Sequence, residues 1–358
     1  MRLRRIVLCA LALVMVALSC SPGFDPPSKV QSLRILAVDA DKPYALPGDK
    51  VTLRMTVADG LKDAAGQPRT LQILWIAGCI DPVGDQYFLC FQELAKLLGS
   101  LVQGGAPPAD LVKLDIASSA SDGTPDAHAF SFTVPTDIVS RRPVPGAGPH
   151  YGIEYIFYAA CAGKLAPAPF AKLGSDVPEF PVRCLDEAGN PQGPDSFVPG
   201  YTQIYSFADG RSNVSPPTQG LTLDRVPVSG AIEDAPVVAV CPVTAQERLQ
   251  TGCTKKAAAD ICEQHDLSAI VPDAAELMPD GGDEKGSRLR EVVWVSYFAD
   301  AGDISSSVKL VSDARVGYQE DHSVTWIAPD KPGLVSLWAV TRDQRGGESV
   351  QRIFVRVQ

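Results

Sequence analysis

Catalytic signatures are missing from this chain. It contains no G-x-S-x-G elbow, no H-E-x-x-H, no C-x-x-C and no P-loop, the short patterns that place a nucleophile, a metal or a nucleoside triphosphate. Histidine is scarce: His128, His150, His265 and His322 lie far apart in loop-like stretches, where solvated side chains are expected. Positive charge is short as well. The chain has 32 Lys and Arg against 42 Asp and Glu, a net charge of −10, which repels phosphate backbones and argues against a nucleic-acid partner. The apolar run Ile6 to Leu18 has thirteen residues, fewer than the ~20 needed to span a bilayer core. Low-complexity tracts are absent too, since the 30 Gly and 30 Pro are spread along the sequence.

What is present begins with that apolar run. Arg2, Arg4 and Arg5 precede it and Ala17-Leu18-Ser19-Cys20 closes it, the layout of a secretory signal. A cysteine directly after a small residue resembles the lipobox of bacterial lipoproteins, although Ala17 stands where that family prefers Leu. The resemblance implies that residues 1–19 are a signal peptide, that Cys20 is acylated, and that the mature chain hangs from the membrane by its lipid. Ser21 rather than Asp after the cysteine implies sorting to the outer membrane, facing either the periplasm or the outside. Loss of residues 1–19 removes three Arg and no acid, leaving 29 basic against 42 acidic side chains, or −13.

An oxidising compartment turns the remaining cysteines into disulfide candidates. They are Cys79, Cys90, Cys161, Cys184, Cys241, Cys253 and Cys262. The most local pairing is Cys79–Cys90, Cys161–Cys184 and Cys253–Cys262, with Cys241 unpaired; Cys241 can instead take Cys253 or Cys262.

About 340 mature residues with frequent turn residues between short β-branched runs indicate an all-β chain of two domains. Residues 20–29 are Pro-rich and read as an extended tether of about 3 Å per residue. The first domain, 30–210, opens with a strand at Leu33 to Val38, a Pro-Gly turn at Leu46 to Asp49, and Val51 to Val57, whose strict alternation marks a half-buried antiparallel strand. Leu71 to Ala77 follows with Trp75 at its centre. Ala45, Pro47, Gly48, Asp49, Val51, Thr52 and Leu53, then a Trp-bearing strand, resemble the opening of bacterial immunoglobulin-like sandwiches, which implies a buried Trp75. An insertion from Gly78 to Ala127 carries an amphipathic helix, Phe91 to Val102 with Phe91, Leu94, Leu98 and Leu101 on one face, expected to cap an open sandwich end. Further strands are expected at Phe130 to Pro135, Ile153 to Ala160 and Phe197 to Phe207.

Residues 211–219 form the clearest linker, and the second domain, 220–358, echoes the first. Val292 to Ser296 answers Ile73 to Ala77, Val324 to Pro329 answers Phe130 to Pro135, Leu334 to Thr341 answers Ile153 to Ala160, and Val350 to Val357 makes a last edge strand. Its entry holds short strands at Leu221 to Leu223, Val237 to Val243 and Leu267 to Val271, with a short helix in Gln246 to His265. The expected architecture is two tandem immunoglobulin-like antiparallel β-sandwiches with loop and helix insertions.

Three constellations bear on chemistry. Cys241, Cys253, Cys262 and His265 offer zinc donors but lack a C-x₂₋₄-C knuckle. The acidic loops Asp39 to Asp41, Asp280 to Glu284 and Asp300 to Asp303 offer calcium oxygens without an EF-hand pattern. Tyr151, Phe197, Tyr201 and Tyr205 could line a sugar-stacking platform, though strand periodicity favours packing. No cofactor, metal site or catalytic residue is assigned. The layout resembles two-domain bacterial lipoproteins and implies a non-enzymatic spacer or binding module, anchored to the membrane by lipid, for an envelope protein or glycan. The alternatives are a hydrolase built on Asp280, Asp283 or Asp303, and a calcium-dependent adhesion module.

Overall fold

A computed structural model describes residues 26–102, 111–118, 128–168, 179–244, 247–248, 261–282 and 286–358. The first domain runs β1 Leu33–Ala40, β2 Lys50–Asp59, β3 Thr70–Ile80, helix α1 Phe91–Val102, β4 Val112–Ser118, β5 Ala129–Thr133, β6 Tyr151–Cys161, β7 Lys164–Pro167, β8 Val182–Leu185 and β9 Phe197–Phe207. The second continues with β10 Leu221–Leu223, β11 Val226–Val228, β12 Val237–Val238, β13 Gln264–Ala269, β14 Leu277–Gly282, β15 Arg288–Arg290, β16 Val293–Ala299 and β17 Asp303–Ile304. It closes with β18 Val308–Asp313, β19 Gly317–Tyr318, β20 Val324–Ile327, β21 Gly333–Asp343 and β22 Glu348–Val357.

Both domains are immunoglobulin-like sandwiches with one shared strand order. In the first, β1-β2-β5 faces β4-β3-β6-β9; in the second, β10-β13-β20 faces β18-β16-β21-β22, with short strands added at the sheet edges. The alternation of β2 is spent as its pattern dictates, with Val51, Leu53, Met55 and Val57 all buried in the first core. At its start the turn holds Gly48 at φ 86°, a left-handed conformation that favours glycine. Trp75 fills the centre of that core, 5.8 Å from Phe130 and 5.7 Å from Tyr158. In the second core the matching residue is not Trp294: alternation in β16 points Val293, Val295 and Tyr297 inward, and Trp326 of β20 supplies the buried indole. Nor is β22 an edge strand, because β12 pairs with its end in parallel.

β3 is apolar on both faces for a reason the sandwich alone does not require. Leu71, Ile73, Trp75 and Ala77 face the core, while Leu74 and Ile76 face outward under α1. The helix buries Phe91, Leu94 and Leu98 against that outer face; it lies across the four-stranded sheet and does not cap the sandwich end. Each such side chain contributes roughly 1.5–3 kcal/mol by leaving water.

The two sandwiches pack side by side, β1 of the first lying against β21 and β22 of the second. A bulge in β1 between Ile35 and Ala37 turns Leu36 and Ala37 away from the first core, and with Val30 and Ala58 they bury against Trp338 and Val340 of β21. Across this seam the Glu348 carboxylate accepts the Val38 N–H at 3.0 Å. Arg342, paired with Glu348 at 2.9 Å, donates to the Leu36 carbonyl. Asp39 sits in the same seam, where burial pushes its carboxyl up to about 6 against the opposing pull of Arg54.

Both connecting segments are clamped to this body. Ser28 and Val30 are buried; Val30 N–H donates to the Ala299 carbonyl and Ala299 N–H to that of Ser28, each at 2.8 Å. The last residues of the expected tether therefore belong to the second domain's surface. In the linker, Asn213 donates to Asp343 at 3.1 Å, Ser349 to the Pro216 carbonyl at 2.5 Å and Gln351 to the Thr218 carbonyl at 3.0 Å.

Trp338→Ala removes the largest apolar group of the seam. The expected cost is about 3–5 kcal/mol, with domain unfolding that splits into two transitions in urea, read by tryptophan fluorescence; a single unshifted transition would contradict the buried seam.

Candidate binding face

Because the sandwiches lie side by side, each end of the molecule is built from both. Residues 28–30 meet Ala299 and Asp303 at one end, the tether end. The other end collects the Asp81 to Gln86 loop, the 137–150 turn, Tyr44, the start of the linker, β14 and the turn after β21. It is organised by three arginines, each gripping carboxylates and lying over an aromatic ring.

Arg142 donates to Asp81 at 2.6 Å and to Asp85, and its guanidinium carbon lies 4.8 Å from the Tyr151 ring centre. Tyr151 OH donates to Asp85 at 2.7 Å, and Tyr155 OH to the Asp85 carbonyl at 2.8 Å. Partial burial works against ionisation of Asp85, yet the Arg142 and Tyr151 hydrogen bonds hold its carboxyl below the ordinary range. Asp81 and Asp85 are left-handed at φ 46° and 55°, strained for non-glycine residues and kept by these bonds. Arg211 forks onto Asp209 at 3.0 Å, reaches Asp280 and covers Phe207 at 4.8 Å. Arg345 donates to Glu291 at 2.9 Å and to Glu276, and approaches Tyr44 of the first domain at 5.8 Å. The guanidinium of Arg345 and the carboxylate of Glu291 are both buried, and burial pushes the Glu291 carboxyl up against the pull of Arg345. Around this lattice the loops expose Leu46, Val83, Val144 and Leu277.

Cys20, Cys253 and Asp283 lie outside the described residues. Disulfides join Cys79 to Cys90, Cys161 to Cys184 and Cys241 to Cys262. Cys241 is thus bonded, and the expected Cys253–Cys262 link is replaced: the chain after β12 brings Cys241 within 4.9 Å of Cys262 between α-carbons. That bond also removes two thiolates from the zinc constellation, and His265 turns instead to Asp224 at 2.8 Å. Gln264 and His265, expected at the end of a helix, open β13; most of that expected helix lies outside the described residues. His128, His265 and His322 are buried, not solvated.

Asp280 and Asp303 lie at opposite ends of the second domain, Asp280 on Arg211 and Asp303 on Arg248 and Lys29, so they cannot flank one substrate. In the other acidic loops Asp41 accepts the Thr52 N–H at 2.8 Å and Asp300 that of Ser336 at 2.9 Å. Among the described residues no cluster of three His, Cys, Asp or Glu could hold a metal. Tyr151, Phe197, Tyr201 and Tyr205 do share the outer face of the four-stranded sheet, and Tyr201 is 42 % exposed while stacked on Tyr87 at 4.2 Å. Tyr44, Arg142, Arg211 and Arg345 have no mark in the sequence, because arginines near acids and turns carry no signal that separates them from other surface charges.

No family model matches the chain, and no curated protein matches it. Among solved structures, the D00-D0 domain of intimin is 14% identical over 90% of this chain and 98% of its own, with a TM-score of 0.20. The fibronectin(III)-like modules of Clostridium thermocellum CbhA are 11% identical over 90% and 95%, with a TM-score of 0.17. A bacterial ice-binding adhesin is 11% identical over 90% and 65%, with a TM-score of 0.18. At scores this low the fold rests on the strand order described above.

Arg345→Leu strands the Glu291 carboxylate in a buried site. The expected loss is about 3–5 kcal/mol, and adding Glu291→Gln restores a large part of it in denaturant melts. Equal stability of wild type and Arg345→Leu would dissolve the proposed lattice.

Proposed function

We propose that the protein is a non-enzymatic binding module of the bacterial envelope, lipid-anchored through Cys20 to the outer membrane, and that it presents the end remote from the tether to a protein or glycan partner. The single observation behind this reading is the side-by-side seam. Two sandwiches used as a spacer gain reach by joining end to end; here the second domain folds back along the first and the gain is lost. What side-by-side packing provides is one broad surface, with Arg142 fixing the loops of the first domain and Arg211 and Arg345 linking loops of both. Loops fixed on a rigid scaffold are where binding groups concentrate.

The hydrolase alternative loses support because Asp280 and Asp303 are far apart and each is held by arginine, whereas a glycosidase pair faces across about 5–10 Å. The adhesion alternative needs calcium oxygens, whereas Asp41 and Asp300 accept backbone N–H groups and Asp280 and Asp303 are held by arginine.

The test is site-specific photocrosslinking in the native envelope. A crosslinking residue at Val83 or Leu277, at the remote end, should give a discrete adduct, while one at Leu61 or Leu334, at the tether end, should not. Cys20→Ala should move the protein out of the membrane fraction. Adducts from the tether end alone, or membrane retention of Cys20→Ala, would overturn the proposal.

A further inference from the structure

One buried group at the remote end takes no part in the arginine lattice. Glu154 of β6 points between the two sheets of the first sandwich and is 2 % exposed. Its position follows from an irregularity in the neighbouring strand. Between Ile76 and Cys79 the β3–β6 register slips, a bulge that leaves a backbone donor outside the ladder. That donor is the Gly78 N–H, and Glu154 Oε1 accepts it at 3.1 Å. Gly78 holds φ 93°. Glu154 Oε2 is buried and has no hydrogen-bond partner.

A carboxyl group so placed is comfortable only when neutral. One backbone hydrogen bond does not compensate a buried charge. The charged groups that face it act in opposite directions: Asp81, from the loop after β3, disfavours ionisation, and Arg141, from the 137–142 turn, favours it while paired to Asp137 at 2.8 Å. The core it points into is lined from the opposing sheet by Val51 and Phe132. Burial prevails and pushes the carboxyl up to about 7.

The bulge also opens one of the loops of the remote end. Cys79 follows it and is tied to Cys90, and between them lie Asp81 and Asp85 with their left-handed backbones, then Tyr87 stacked on Tyr201. We propose that Glu154 is a proton-operated clasp, which on protonation tightens the Gly78 bulge and with it the 78–90 loop. Mild acid therefore orders the candidate binding face and neutral pH loosens it.

The sign follows from linkage. The closed loop holds the Glu154 proton up to about pH 7, whereas an opened, hydrated carboxyl loses it near 4.5. Opening should become up to tenfold rarer for each pH unit lowered between those values, and should be independent of pH above 7. Glu154→Gln keeps the acceptor for Gly78 and cannot ionise, so it should stay closed at every pH.

Hydrogen exchange on the full chain, corrected for intrinsic exchange rates, tests this between pH 5 and 8. The peptide 76–90 should gain protection tenfold or more from pH 7 to pH 5 in wild type, with no slope in Glu154→Gln and no comparable slope in the 51–57 peptide. Should Glu154→Gln not fold, the contrast between the two wild-type peptides still decides. A flat profile for 76–90, a wild-type slope retained in Glu154→Gln, or the same slope in 51–57 would overturn the clasp.

Discussion

Everything distinctive about this molecule depends on an apolar seam between two β-sheets that would ordinarily face water. The outward side of β1 is not solvated: the bulge at Leu36 supplies an extra outward residue, and Trp338 and Val340 cover it together with Ala37 and Ala58. Glu348 and Arg342 then meet the Val38 N–H and the Leu36 carbonyl, so polar backbone at the irregularity is not left without partners. Removing either component would expose the other. The seam therefore fixes the angle between domains, and the angle fixes which loops become neighbours.

From that constraint the remote end follows. Tyr44 can lie beneath Arg345 only because β1 runs alongside β22 in this register, and Arg211 can bridge Asp209 and Asp280 only because the linker is strapped to Asp343 and Ser349. The guanidinium groups are more deeply placed than most of the carboxylates they hold, so solvent meets carboxylates and aliphatic loop tips. The loops behave as one surface because each arginine has partners on more than one segment.

The sandwiches themselves were legible in the sequence because alternation reports burial on one face, and β2, with Val51, Leu53, Met55 and Val57, obeys it strictly. The helix at Phe91–Val102 was legible for the same reason at a different period. What pattern does not report is what covers a second face. LVSLWAVT in β21 is apolar on both sides, which a core strand and a strand in a domain seam satisfy equally. Trp294 illustrates the limit: its echo of Trp75 placed the right strand and the wrong indole, since one residue of phase decides which face a side chain takes. Cys241 and Cys262 were likewise open among three cysteines until the backbone set their separation. The arginine lattice had no local signature at all, because its members are brought together from segments far apart in sequence.

The most direct measurement is small-angle X-ray scattering on residues 26–358, with Trp338→Ala measured beside it. Side-by-side sandwiches predict one compact particle, with a radius of gyration of about 20 Å and a single-peaked distance distribution, and a larger radius in the variant. A long-tailed or double-peaked distribution for the wild-type chain, indicating domains joined end to end, would contradict the seam and with it the composite binding face.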